Sequence, residues 1–120
     1  MIVVIMLGTN DAHTQQFASN FAYEYQKLVS EYQELPNNPR ILLVKPPPIY
    51  DNELELSDTN LDGYVIPGIE KVANELGLST VDVNGALANR PEFFEDGVHP
   101  NSAGALAIAT EIIEAINFEN

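Results

Sequence analysis

The 120-residue sequence contains no cysteine, and lysine and arginine together number only five. Without cysteine there is no disulfide and no thiolate metal ligand. Against the few bases stand eighteen aspartates and glutamates, for a formal net charge of −13. Clusters of Lys and Arg able to neutralise phosphates cannot be built from so few, which excludes nucleic acid and an anionic membrane surface as partners. Long hydrophobic runs are missing too. The apolar opening Met1 to Leu7 is far shorter than the roughly 20 residues a membrane span needs. It also lacks the basic lead-in and cleavage site of a secretory signal. What is present is a globular composition, 45% apolar and 19% charged, in a length that suits one domain. The excess negative charge reads as solubility.

Apolar segments alternate between two periods. Ile2 to Leu7, rich in β-branched residues and ended by Gly8, predicts a strand buried on both faces. Thr14 to Glu34 predicts a helix, with Thr14 as N-cap and Phe17, Phe21, Tyr25, Leu28 and Tyr32 at spacings of three and four on one core-facing stripe. Ile41 to Val44 is a second buried strand, stopped by three prolines, Pro46 to Pro48, which cannot donate to a ladder. A polar, acidic loop from Ile49 to Asn60 follows. A second helix begins at Leu61 or Asp62, takes Pro67 in its first turn and ends at Gly77, a good C′ residue. Thr80 to Val83 is a third strand. A loop carrying the exposed-looking pair Phe93 and Phe94 leads to a helix over Asn101–Asn117, with Leu106, Ala109, Ile112, Ile113 and Ile116 inward. This alternation predicts an α/β fold: a parallel sheet of about three strands between layers of helices.

Two motifs fall at C-terminal ends of these strands, where open α/β sheets place their ligands. In Asp96-Gly97-Val98-His99-Pro100 a carboxylate three residues from a histidine can hold one imidazole nitrogen and leave the other as a base. Taken bare, the pattern also fits a loop before a helix with a surface histidine. In Gly8-Thr9-Asn10-Asp11 a glycine ends the first strand in a sharp turn, and the amide of Asn10 is free to donate to an oxyanion. Taken bare, it also fits a strand-to-helix turn whose Asn and Asp satisfy local backbone. Asp11, His13, Asp96 and His99 are metal-ligand types but lack a diagnostic spacing, so no metal is expected.

Jointly, the two motifs resemble the last sequence blocks of the SGNH (GDSL-type) hydrolases. Further matches are Pro46 to Tyr50, Ile66-Pro67-Gly68-Ile69, Val81-Asp82-Val83 and Pro91 to Asn101. The similarity is to the branch described as sialate O-acetylesterase-like or carbohydrate acetylesterase-like. It implies a three-layer α/β/α, flavodoxin-like fold and ester hydrolysis through a Ser-His-Asp triad, with no metal or organic cofactor. It implies His99 as general base and acid, Asp96 as its orienting carboxylate, Asn10 and Gly8 in the oxyanion hole, and Asp11 as support. Its implied substrate is a small ester or an acetylated carbohydrate.

The family's first block, a Gly-Asp-Ser carrying the nucleophile, has no counterpart here. Ser19, Ser30, Ser57, Ser79 and Ser102 lack its strand-to-helix context. Residues 1–120 are therefore expected to be a single partial domain, its C-terminal portion, and to be inactive in isolation. The implied strand order leaves Ile2 to Leu7 with an open edge. That edge is expected to self-associate or to accept a separate N-terminal fragment. The rival readings are a non-catalytic remnant or binding module of the same fold, and a phosphate- or nucleotide-binding flavodoxin-like domain. The last is disfavoured by the absence of a Gly-rich phosphate loop.

Overall fold

Ile41, Leu42, Leu43 and Val44 are all buried, and this uninterrupted apolar run forms the middle strand of the molecule. In the computed structural model, which describes residues 1–118, β1 (Ile2–Ile5), β2 (Arg40–Lys45) and β3 (Ser79–Asp82) form one parallel sheet of order β1-β2-β3. The register aligns Val4 with Leu42 and Val44 with Val81. Three main helices connect and cover the strands: α1 (Gln15–Gln33), α2 (Ile66–Leu76) and α3 (Ser102–Phe118).

Strand side chains alternate between faces, and each face has its own core. Val3, Ile5, Ile41 and Leu43 pack with α1 and α2. Leu42, Val44 and Val81 pack with Ile108 of α3 and with Val83, Leu87 and Phe94. The result is the expected three-layer α/β/α arrangement. Thr14 caps α1 as expected, accepting from the Phe17 backbone N–H. Gly77 ends α2 in a left-handed conformation at φ 68°, which costs glycine no Cβ clash.

Several expectations need correction. The first strand is shorter than Ile2–Leu7, ending at Ile5, and it is not buried on both faces. Among the described residues it has only β2 as a neighbour, and Ile2, Val4, Met6 and Leu7 are exposed. On α1 the buried residues are Ala18, Phe21, Tyr25 and Val29, while Phe17 and Tyr32 lie in solvent. The stripe runs one residue over from the aromatic one because burial follows the side of the helix that meets the sheet, not ring size. On α3, Leu106, Ala109 and Ile113 are exposed, and Gly104 and Ile108 are buried. That helix is apolar on nearly every side, so its pattern did not specify a face.

The third strand is Ser79–Asp82 instead of Thr80–Val83, because Asp82 caps a one-turn helix at Val83–Ala86 through the Gly85 N–H. The helical run before α2 begins earlier than Leu61. Ser57 caps a turn at Asp58–Asn60 that continues through a π-helical turn, Leu61–Val65. Pro67 cannot donate to the carbonyl four residues back, and a wider turn just before it accommodates that loss. Phe94 is buried and Phe93 half-buried, contrary to their exposed reading.

Candidate active site

The Asp96–His99 loop is closed at its base by a bridge between Phe94 and Pro100. Asn101 then caps α3, accepting from the Gly104 N–H, so Pro100 precedes the helix without starting it. Within the loop the Asp96 carboxylate does three things. One oxygen accepts from the backbone N–H groups of Val98 and His99, at 2.9 and 2.7 Å. The other lies 2.6 Å from His99 Nδ1. These hydrogen bonds, led by those from His99, hold the Asp96 carboxyl well below the usual carboxylate range. An ionised carboxylate only accepts. Nδ1 therefore carries the hydrogen and Nε2 is left as the basic nitrogen. The imidazole is largely exposed, so Nε2 is accessible.

Gly97 fixes where this loop sits. Its φ is +86°, and a Cβ there would lie 2.1 Å from the Asp51 carbonyl oxygen. Its own carbonyl accepts from the Tyr50 N–H. The loop is thereby pressed against the segment that leaves β2.

The Gly8–Asp11 turn sits at the end of β1. Gly8 has φ +125°, and a Cβ on it would lie 2.5 Å from the Val65 side chain, so both conformation and space require glycine. Asp11 N–H closes onto the Gly8 carbonyl and the chain enters a 3₁₀ turn, Asn10–His13. Asn10 is exposed, and its amide makes no hydrogen bond among the described residues. Burial raises the Asp11 carboxyl above its ordinary value, against the opposing effect of its own backbone N–H.

The two motifs meet in one groove of about 510 Å³, lined by Asn10, Asp11, His13, Phe17, Leu54, Leu56 and His99. A second cavity of about 300 Å³ lies on the other side of Asn10 and Asp11, along the end of β1 and against Phe21, Tyr25 and Leu28 of α1. None of the five serines lines the groove. Ser19 donates to the Gln16 carbonyl within α1. Ser57 caps a helical turn, Ser79 opens β3, and Ser102 faces a separate surface hollow beside Asn101. Among the described residues no three metal-ligating side chains cluster.

Three contributors to the site escape a reading of the sequence. Gly97 is signalled only weakly, by an Asp-Gly dipeptide that usually marks a turn. Asn52 gives no signal, yet its side chain makes four hydrogen bonds, to Tyr50 and Leu56 carbonyls and from Leu54 and Leu56 N–H groups. Phe17 falls on a helical period and reads as core, but its ring stands in the groove.

Residues 1–107 match the GDSL-like lipase/acylhydrolase family. The chain belongs to that family. An acetylxylan esterase of Xylanibacter ruminicola is 28% identical over 135 residues, which take in 96% of this chain and 28% of that protein. Among solved structures, an acetyl xylan esterase superposes with a TM-score of 0.75 at 25% identity, covering 96% of this chain and 66% of that one. A carbohydrate acetylesterase from Sinorhizobium meliloti superposes with a TM-score of 0.81 at 18% identity, covering 99% and 61%; at that identity the likeness is one of fold. The chain thus spans under two thirds of the length of these relatives, and the sheet they share is the open parallel α/β sheet described above.

Proposed function

We propose that this chain is the C-terminal portion of a carbohydrate O-acetylesterase, carrying the histidine, its carboxylate and an oxyanion donor of a Ser-His-Asp triad whose serine lies on a segment outside these residues. The observation that carries the reading is that His99, held by Asp96, lines the same groove as Asn10, whose amide is unengaged among the described residues. Membership of the acylhydrolase family and the likeness to an acetylxylan esterase support an acetylated carbohydrate as the substrate class.

In this mechanism a serine hydroxyl attacks the ester carbonyl carbon while His99 Nε2 takes its proton. The negative oxygen of the tetrahedral intermediate receives a hydrogen bond from the Asn10 amide, with Gly8 shaping the turn that presents it. Collapse breaks the bond to the sugar oxygen, and His99 returns the proton to it. Water then attacks the acyl-serine with His99 again as base, and His99 returns that proton to the serine oxygen as the acyl–oxygen bond breaks and acetic acid leaves. Asp96 keeps the proton of His99 on Nδ1 and stabilises the imidazolium. Asp11 supports the turn.

The serine-bearing segment would pair along the open edge of β1. Three features support this placement. Ile2, Val4, Met6 and Leu7 are exposed. The adjoining 300 Å³ cavity is walled by Met6, Leu7 and Phe21. The buried Tyr25 hydroxyl, whose burial raises its pKa, has no hydrogen-bond partner among the described residues. Because the sheet is parallel, a strand added there in parallel would end beside Asn10. Self-association through the same edge is the competing use of this surface.

The test is aryl acetate hydrolysis by the chain alone, and by the chain fused behind a strand segment that carries a Gly-Asp-Ser block. The expected result is no turnover alone and turnover in the fusion that His99→Ala abolishes. Hydrolysis by the isolated chain that depends on His99 would place the nucleophile within it and overturn the reading.

A further inference from the structure

Phe17 is 61% exposed although it is the largest apolar side chain in the first turn of α1. Its backbone is fixed by the Thr14 cap. Its ring meets the His13 imidazole edge-on at 6.4 Å and 69°, and His13 Nε2 is in turn 3.3 Å from a Glu55 carboxylate oxygen. The ring is thus held beside His13 and lines the groove.

A second part of the lining is equally well fixed. Leu54 and Leu56 project from a loop whose conformation is set by the four hydrogen bonds of Asn52. Between them Glu55 sits at φ 61°, a left-handed conformation that a non-glycine residue keeps only when its surroundings impose it. Ser57 N–H ties the loop to the Ala12 carbonyl on the far side. Two braced apolar segments thus line the groove together with Asn10 and His99, and a preformed lining loses little freedom when a ligand binds.

Charge narrows the occupant. No lysine or arginine lines the groove, while Asp11 does and Glu55 and Asp96 adjoin it. The bases are engaged elsewhere: Lys45 pairs with Glu70, Arg90 with Glu92, Lys27 lies over Tyr23, and Arg40 donates to the carbonyls of Ala115 and Ile116. Lys71 lies on α2. An anionic ligand would meet carboxylates without a compensating cation.

We infer that Phe17, with Leu54 lining the same groove, is the platform on which an uncharged sugar ring stacks while its acetyl ester reaches Asn10 and His99, and that the same groove rejects sugar acids. The inference rests on the hydrolase reading above for the position of the ester. An apolar sugar face against an aromatic ring buries area at low entropy cost, since Phe has two side-chain torsions.

The test is protein NMR of the isolated chain titrated with mono-O-acetylated xylobiose and with an O-acetylated methyl glucuronoside as the free acid. The acetylated xylobiose should shift the Phe17 ring and Leu54 methyl signals. The glucuronoside should bind at least tenfold more weakly. Phe17→Ala should weaken xylobiose acetate binding about tenfold and Phe17→Trp should retain it. The exposed position leaves the fold of both variants intact, which a thermal melt verifies. Equal affinity for the two sugars, unchanged affinity in Phe17→Ala, or no response of Phe17 to the neutral sugar would each overturn the inference. Aryl acetate hydrolysis by the serine-supplied fusion uses no sugar, so failure of the platform and failure of the hydrolase reading are read separately.

Discussion

Strands β1 and β2 are nearly the same sequence and have opposite fates. Ile2-Val3-Val4-Ile5 and Ile41-Leu42-Leu43-Val44 are both four consecutive branched apolar residues. In β2 every one is at most 3% exposed, whereas in β1 Ile2 is 41% and Val4 38% exposed. The difference comes from neighbours. β2 is paired on both sides and covered on both faces, while α3 covers Leu42 and Val44 but leaves Val4, aligned beside Leu42, uncovered. An apolar strand tells what surroundings it is suited to, and the tertiary structure determines whether it has them. A strand suited to burial but left open is suited to receive another segment, which is why the proposed serine-bearing strand is placed at this edge and not at that of β3.

The largest expected effect tests that assignment. In triad enzymes, loss of the nucleophile costs on the order of 10⁶-fold in rate, so supplying the segment should raise aryl acetate turnover from background by a factor approaching that size. A fused segment that leaves β1 amides exchanging with solvent as fast as before would break the comparison. Next in size is the core of β2. Leu43→Ala removes a fully buried side chain and should cost about 2–5 kcal/mol in urea unfolding. Val4→Ala, by contrast, removes a side chain already facing water and should cost less than about 1 kcal/mol. The contrast sharpens in the fusion, where Val4→Ala should cost more than it does in the isolated chain; an unchanged cost would show that the face stays open.

The smallest effect concerns Asp96. Its folded pKa is lowered, so its contribution to stability is present above the unfolded value of about 4 and lost as pH falls through the folded one. Melting temperature should therefore drop more steeply below about pH 4 in the wild type than in Asp96→Asn, with the two curves converging in acid. Parallel curves would mean that the Asp96–His99 contact does not persist in solution.

Much of the fold was legible because its signals are local or periodic. The strand-helix alternation, the Thr14 cap, the Gly77 terminus and the Asp96–His99 pair each depend on residues within a few positions of one another. Short-range geometry allows few alternatives to such contacts. Less legible were the inward face of α3 and the position of Phe17, since a helix apolar all round, or an aromatic at helical spacing, does not reveal what lies opposite it. The Asn52 brace was missed although it is local, its side chain bonding Tyr50, Leu54 and Leu56 within four positions, because an asparagine in a polar loop does not reveal which backbone groups it will hold.

The sequence by itself determined the class of fold and the positions of the turns that follow β1 and precede α3, since these follow from backbone propensity and from contacts three residues apart. Only the tertiary structure decided that Asn10 and His99 line one groove, that Phe17 stands in it, and that β1 is open where β2 is closed. Each of these depends on chain segments distant in sequence being packed against, or left clear of, one another, and burial is a property of that packing and not of any single residue.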